Sequence, residues 1–210
     1  MKPVLFDLDG TLADSRAIVT DIFATVQMDH CGVVADPRDY LWCCGPPLEE
    51  SFRILGWEYP EEGVKAYRDI YKERFFDTPM YEGVMELLED MYRYGVPMVI
   101  ATSKLQSMAS MLLRHYGVDE YFLDICGADP QGKYSHKSVI IARALDVLKN
   151  HGIDELPFMV GDRMYDIEGA HEHGLHAIAV TWGAGTSDEW EKADYCVSSV
   201  EELRTLICAI

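Results

Sequence analysis

The sequence contains no apolar run approaching the ~20 residues that a membrane-spanning helix needs. It is also short of basic residues: 18 Lys and Arg stand against 36 Asp and Glu, a formal net charge of -18. That balance argues against the basic face that nucleic-acid or anionic-membrane binding requires. Cysteine is sparse, with no Cys-x-x-Cys pair among the six and with Cys43 and Cys44 adjacent. A disulfide framework is not expected, and the pattern suits a reducing cytosol. Glycine and proline are at ordinary levels and 49% of residues are hydrophobic, which excludes collagen-like and disordered classes. An acidic residue arrives at Asp7, too early for the apolar segment of a signal peptide. The expectation is a soluble cytoplasmic protein. At roughly 150 residues per domain, its length allows one domain with a sizeable insertion or two small ones.

Short apolar runs alternate with longer amphipathic stretches. The runs at residues 4–6, 96–101, 122–126, 158–160, 177–180 and 195–197 are predicted strands. Helical spacing shows in Val84, Leu87, Leu88 and Met91, and again in Val139, Ile140, Ala144, Leu145 and Leu148. Continuous apolar strands alternating with helices predict an α/β fold, a doubly wound, Rossmann-like parallel sheet covered on both faces. One interval breaks this rhythm. Between Ser15 and Tyr81 only helix-like stretches occur, at 18–28, 48–55 and 64–76, separated by Pro37, Pro46-Pro47, Pro60 and Pro79. Such a block is too long for an ordinary crossover. It predicts an all-helical insert over 15–81 in a core formed by 1–14 and 82–210.

Ligands of an open parallel sheet bind beyond the carboxyl ends of its strands, so the residues after each run are the candidates. Asp7-Leu8-Asp9-Gly10-Thr11 follows the first. Carboxylates at i and i+2 of an extended chain project the same way and repel each other. The pair calls for a cation or a shared proton, and a hard cation such as Mg²⁺, which works beside phosphate, suits it. Thr102-Ser103-Lys104 follows the second run. A hydroxyl and backbone N–H groups opening a helix there make either an anion site or a simple N-cap. A basic cluster, Gly132-Lys133-Tyr134-Ser135-His136-Lys137, precedes another helix, where a lysine either reaches an acidic, phosphate-binding site or stays in solvent. Gly161-Asp162-Arg163-Met164-Tyr165-Asp166 follows the fourth run. Its two acids either favour the helix dipole or complete the metal site begun by Asp7 and Asp9. His171, His173 and His176 lack the spacing and the accompanying cysteine expected of a zinc site. Gly183-Ala184-Gly185 lacks the third glycine of a dinucleotide fingerprint and is expected to be a loop.

Taken together, these motifs resemble the haloacid dehalogenase-like hydrolase superfamily, in its branch of phosphoglycolate phosphatase-like enzymes with a helical cap. Asp7-Leu8-Asp9-Gly10-Thr11 is similar to the first motif, Thr102 to the second, and Gly161-Asp162 through Asp166 to the acidic fourth. Lys137, which opens a helix, is similar to the lysine of the third, with Lys104 its rival. Gly45 through Phe52 and Trp182 through Gly185 also look familial, so the resemblance spans essentially the whole chain. It implies a phosphatase in which Asp7 is the nucleophile and Asp9 the general acid and base. Thr102 and Lys137 would hold phosphoryl oxygens, with Gly10, Thr11 and Ser103 lining the substrate. Mg²⁺ would be held by the Asp7 carboxylate, the Asp9 carbonyl and Asp162, with Asp166 assisting. A small phosphorylated metabolite is the implied partner, and the implied state is a monomer or weak homodimer. The cap would select the leaving group, and its Arg38, Arg53, Lys65, Arg68, Lys72 and Arg74 suit a second acidic group. A phosphosugar mutase or phosphonate hydrolase of the same superfamily is the alternative, although neither Lys65 nor Lys72 lies in a setting marked for a Schiff base. A non-catalytic binding or regulatory protein is the third reading, disfavoured because all four motif residues are present.

Overall fold

The computed structural model describes residues 2–130 and 136–209. These fall into two compact units, one of residues up to Ala13 and from Met80 onward, the other spanning Asp14–Pro79.

In the first unit β1 (Val4–Phe6) leads into the excursion through the second unit, after which come α4 (Val84–Arg93) and β2 (Met98–Leu105). Then follow α5 (Gln106–His115), β3 (Asp124–Ala128), α6 (Lys137–Asn150), β4 (Phe158–Gly161) and α7 (Met164–Glu172). The chain finishes with β5 (His176–Val180), α8 (Ser187–Trp190), β6 (Tyr195–Val197) and α9 (Val200–Ala209). The six strands form one parallel sheet in the order β3-β2-β1-β4-β5-β6. Chain order reverses direction at β1, and such a switch point opens a crevice at the carboxyl ends of the strands. Leu5, Val99, Ala101, Met159, Ala177 and Ala179 project to one face and pack with Ile140, Ile141, Ala144, Leu148, Ile167 and Ala170 of α6 and α7. The alternate residues Val4, Phe6, Met98, Ile100, Val160 and Ile178 are buried too. Burial on both faces is why these strands are uniformly apolar.

The pairing of β2 with β3 is irregular. Ala101 lies opposite Cys126 and Leu105 opposite Ala128, so four steps on β2 span two on β3. Residues 102–104 therefore belong to a bulged strand end, and α5 begins only at Gln106 with Leu105 at its cap. This corrects the expectation that Thr102 opens or caps a helix. A bulge re-aims side chains, and here it does so beside the crevice.

The second unit comprises α1 (Arg16–Cys31), α2 (Leu48–Ile54) and α3 (Pro60–Arg74), with 3₁₀ turns at Pro37–Cys43 and Phe75–Asp77. Its centre is aromatic. The Phe23 ring lies 5.0 Å from both Phe52 and Tyr67, and Tyr67 lies 5.7 Å from Tyr71. At Gly63 on α3 a Cβ would come within 2.5 Å of the Phe52 ring, so only glycine lets α2 and α3 close on it.

Candidate active site

Asp7 is the first residue beyond β1. Its N–H donates to Val160 O at 2.9 Å, which holds it against β4, and only 7% of it is exposed. Lys137, the first residue of α6, reaches back to it, with Nζ 2.7 Å from Asp7 Oδ1 and 2.8 Å from Asp166 Oδ1. The ammonium also donates to Ala101 O at 2.9 Å, so hydrogen bonds to Asp7 and to a main-chain carbonyl fix it beside Asp166. Asp166 sits in the first turn of α7, where its Oδ2 accepts the Arg163 N–H at 3.1 Å and satisfies a main-chain donor at the helix start. Asp162 follows β4. Its Oδ2 accepts the Ala184 N–H at 2.7 Å, while its Oδ1 is buried with no hydrogen-bond partner among the described residues.

Asp7, Asp162 and Asp166 each present an oxygen within 4.8 Å of the others, and all three are buried. Three buried carboxylates and one ammonium leave a net negative charge in a desolvated place. Burial, then repulsion from Asp166 and Asp7, pushes Asp162 up to about 8. Burial likewise raises Asp7 to about 6, Lys137 opposing and Asp166 and Asp9 adding to the rise. Burial disfavours the charge on Lys137, but Asp166 and Asp7 outweigh it and hold the ammonium above its ordinary range. An all-oxygen cluster in which Asp162 Oδ1 and Asp166 Oδ1 are buried without a hydrogen-bond partner among the described residues is a donor set for a hard divalent cation. Glycines make room for the Asp162 carboxylate. A Cβ at Gly10, whose φ is +88°, would come within 2.5 Å of Asp162 Oδ2, and one at Gly183 would overlap the same carboxylate.

Asp9 is arranged differently from the paired-carboxylate expectation. The chain leaves the extended form after Asp7, with Leu8 O accepting from both Leu12 N and Ala13 N at 2.9 Å. The Asp9 carboxylate is therefore outside the acidic cluster and pairs instead with Lys104, whose Nζ lies 3.0 and 2.9 Å from its two oxygens. The two rival lysines thus serve different aspartates, Lys104 pairing with Asp9 and Lys137 with Asp7 and Asp166. Thr102 is buried on the bulge, its Oγ1 accepting the Lys104 N–H at 3.2 Å, whereas Ser103 is exposed. Thr11 is buried as well, with Oγ1 unpartnered among the described residues and its carbonyl accepting Trp182 Nε1–H at 3.0 Å. Gly132 through Ser135 of the basic cluster lie outside the described residues.

The clustered histidines and several cations of the helical unit have partners of their own. His171 Nε2 and His176 Nδ1 lie 3.0 and 2.9 Å from the two oxygens of Asp194, while His173 contacts Ser138 O at 2.8 Å. Of the helical unit's cations, Arg38 is paired with Asp36, Arg53 with Glu49, Lys72 with Asp69 and Arg74 with Asp21. The sequence reading missed the Ala184 amide and the Ala101 carbonyl as site groups. The first had a signal: glycines on both sides of Ala184, in a loop after a core strand.

Residues 4–180 match the model of haloacid dehalogenase-like hydrolases. The chain belongs to that family. Haloacid dehalogenase-like relatives differ in name. The tyrosine-protein kinase PtkA of Mycobacterium tuberculosis is 36% identical over 96% of this chain and 70% of its own length. A 5'-nucleotidase of Pseudomonas aeruginosa is 35% identical over 89% of this chain and 85% of its own. The crystal structure of a predicted phosphatase from Clostridium acetobutylicum superposes with a TM-score of 0.90 at 33% identity, covering 100% of this chain and 99% of that one. Within the family, then, the fold extends over the entire chain.

Proposed function

We propose that this chain is a Mg²⁺-dependent phosphatase that hydrolyses a small phosphate monoester through an aspartyl-phosphate on Asp7. The observation that carries the reading is the convergence of Asp7, Asp162 and Asp166 around Lys137 at the switch point of the sheet. The donor set suits Mg²⁺, being all oxygen and leaving Asp162 Oδ1 unpartnered among the described residues. The carboxylates of Asp7 and Asp162 and the Asp9 carbonyl would hold the ion. Asp166, whose oxygens already serve Lys137 and the Arg163 amide, would assist at one remove. When bound, Mg²⁺ supplies the positive charge that offsets repulsion between these carboxylates and an incoming phosphate.

In the first step an Asp7 oxygen attacks phosphorus as the bond to the leaving alcohol breaks, and Asp9 gives that alcohol its proton. In the second, Asp9 takes a proton from water as the resulting hydroxide attacks phosphorus. Inorganic phosphate leaves and the Asp7 carboxylate is restored. Lys137 and Thr102 steady the phosphoryl oxygens throughout, as fixed charge and donor.

The test is phosphate release from a panel of small phosphate esters, with Mg²⁺ and with excess EDTA. The panel includes nucleoside monophosphates, because a relative is named a 5'-nucleotidase. Release in Mg²⁺ from at least one ester, abolished by EDTA, supports the reading; no release from any contradicts it. The kinase-named relative favours a second reading, transfer from Asp7 to a hydroxyl other than water. Label passing from substrate to an added alcohol or a tyrosine peptide, in preference to water, would establish it.

A further inference from the structure

The hold on Asp162 comes from one stretch of chain, residues 183–190, immediately beyond β5. The Ala184 N–H takes Oδ2. The indole Nε1–H of Trp190 donates to the backbone carbonyl of Asp162 at 2.8 Å. Glu189 Oε2 lies 3.0 Å from Arg163 Nε and also accepts the Met164 N–H at 3.4 Å, while its Oε1 accepts from the other arm of the guanidinium at 3.1 Å. Both partners of that ion pair are only 14% exposed at the side chain. A Cβ on Gly185 would overlap the Asp162 carbonyl oxygen, so only a glycine permits the segment to approach so closely.

These contacts fall on three consecutive residues, Asp162, Arg163 and Met164, which form the turn from β4 into α7. The turn's backbone is fixed by Trp190 and Glu189, and one oxygen of its carboxylate is consumed by Ala184. The other oxygen, Oδ1, is left buried and, among the described residues, unpartnered. Outer groups that fix a metal ligand's orientation commonly change metal affinity by about 10–100-fold when removed.

We propose that Trp190 and Glu189 are positioning residues for Asp162, clamping the turn so that Oδ1 stays directed at the cation, and that they thereby set the metal affinity of the site. This rests on the reading of the cluster as a Mg²⁺ site. Neither residue belongs to the acidic cluster itself. Trp190 also packs against the hydrophobic core, so a purely structural role is the competing explanation. The two roles separate in the observable. A structural role lowers melting temperature without altering the affinity of the folded protein for metal. A positioning role alters that affinity.

The experiment is calorimetric titration of metal-free full-length protein with MgCl₂, well below its melting temperature. Trp190→Phe keeps the aromatic packing and deletes the donor; Glu189→Gln keeps an acceptor for Met164 and deletes the charge facing Arg163. Expected are one site in the parent protein, a Kd raised about 10-fold or more by Trp190→Phe, and a smaller rise in Glu189→Gln. Turnover at saturating Mg²⁺ should stay near that of the parent. Folded variants whose Mg²⁺ Kd lies within about twofold of the parent overturn the proposal and leave the Mg²⁺ reading standing. A parent protein that binds no Mg²⁺ overturns both. If Trp190→Phe does not fold, Glu189→Gln decides by the same criterion.

Discussion

Lys104 and Asp9 form a closed ion pair, with Nζ at 3.0 and 2.9 Å from the two carboxylate oxygens and the lysine side chain only 6% exposed. Lys137 meanwhile serves Asp7 and Asp166. The two lysines are therefore not interchangeable, because they hold different carboxylates at different depths.

The first prediction follows from that division. Lys137→Ala leaves Asp7 and Asp166 buried without a counter-charge, a loss of about 3–5 kcal/mol in stability when one partner of a buried pair is removed. The rate should fall by a further ~2–4 kcal/mol of transition-state stabilisation. Lys104→Ala frees an aspartate whose side chain is already 30% exposed and should cost about 1 kcal/mol or less. Urea melts and steady-state kinetics on both variants check the order; the reverse order contradicts the assignment of Lys137 to the phosphate.

A second prediction concerns pH and metal. Asp7 and Asp162, raised to about 6 and about 8, keep protons in the folded state that the unfolded chain has released above about pH 4. The folded state binds more protons across that window, so this site's contribution makes metal-free stability fall as pH rises from about 4 to about 8. On the proposed function Mg²⁺ would bind the ionised carboxylates, and it should then offset the loss. Melting temperatures in EDTA and in MgCl₂ should therefore differ more at pH 8 than at pH 5. An equal shift at both values would contradict the site's electrostatics.

Asp194 gives the opposite sign. Burial works to raise it, but the Ala177 amide and the imidazoles of His176 and His171 hold it at about 2. Its contribution is present above the ordinary carboxylate range and lost as pH falls through about 2. The side chain is 30% exposed, so solvent screens the pair and the effect of Asp194→Asn at pH 7 should be only about 1 kcal/mol. The same melts repeated near pH 2 should show parent and variant converging; a difference that persists there would rule out the carboxylate's contacts with Ala177, His176 and His171 as its source.

Strand positions are legible in this sequence because buried parallel strands are continuous apolar runs. β1 and β6 have the expected bounds, and β4 and β5 each extend one residue further. β2 departs furthest, running to Leu105 because the bulge keeps Thr102-Ser103-Lys104 in the strand. Nothing in the polarity of Thr-Ser-Lys distinguishes a bulge from a helix start. Asp7, Asp162, Asp166 and Lys137 are legible from their places just beyond strands or at a helix start. The Asp9–Lys104 pair and the Trp190 contact were not, since each joins residues 95 and 28 positions apart with no periodic mark.

Gly10 supplies a further test. With φ at +88° and the Asp162 carboxylate within 2.5 Å of where a Cβ would stand, Gly10→Ala is strained twice over. Expected are a loss of about 1–3 kcal/mol in stability and weakened Mg²⁺ binding by calorimetry. Gly95→Ala, also at positive φ (+68°) but with open space around it, should lose stability alone. Equal Mg²⁺ affinity in the two variants would show that Gly10 is needed only for its backbone.

The most direct test of the central claim, that Asp7 takes the phosphoryl group while Asp9 moves the proton, is single-turnover kinetics with acid-quench trapping of phosphoenzyme. Asp7→Asn should form no phosphoenzyme from any ester. Asp9→Asn should keep the fold and Mg²⁺ affinity, and transfer from an alkyl ester should slow by the ~10²–10⁴ of a lost general acid. Transfer from an aryl ester, whose phenoxide needs less protonation, should slow less, and trapped phosphoenzyme should accumulate because its hydrolysis lacks a base. If Asp9→Asn instead slows both esters equally and loses Mg²⁺, Asp9 serves the metal alone and the acid–base assignment is contradicted.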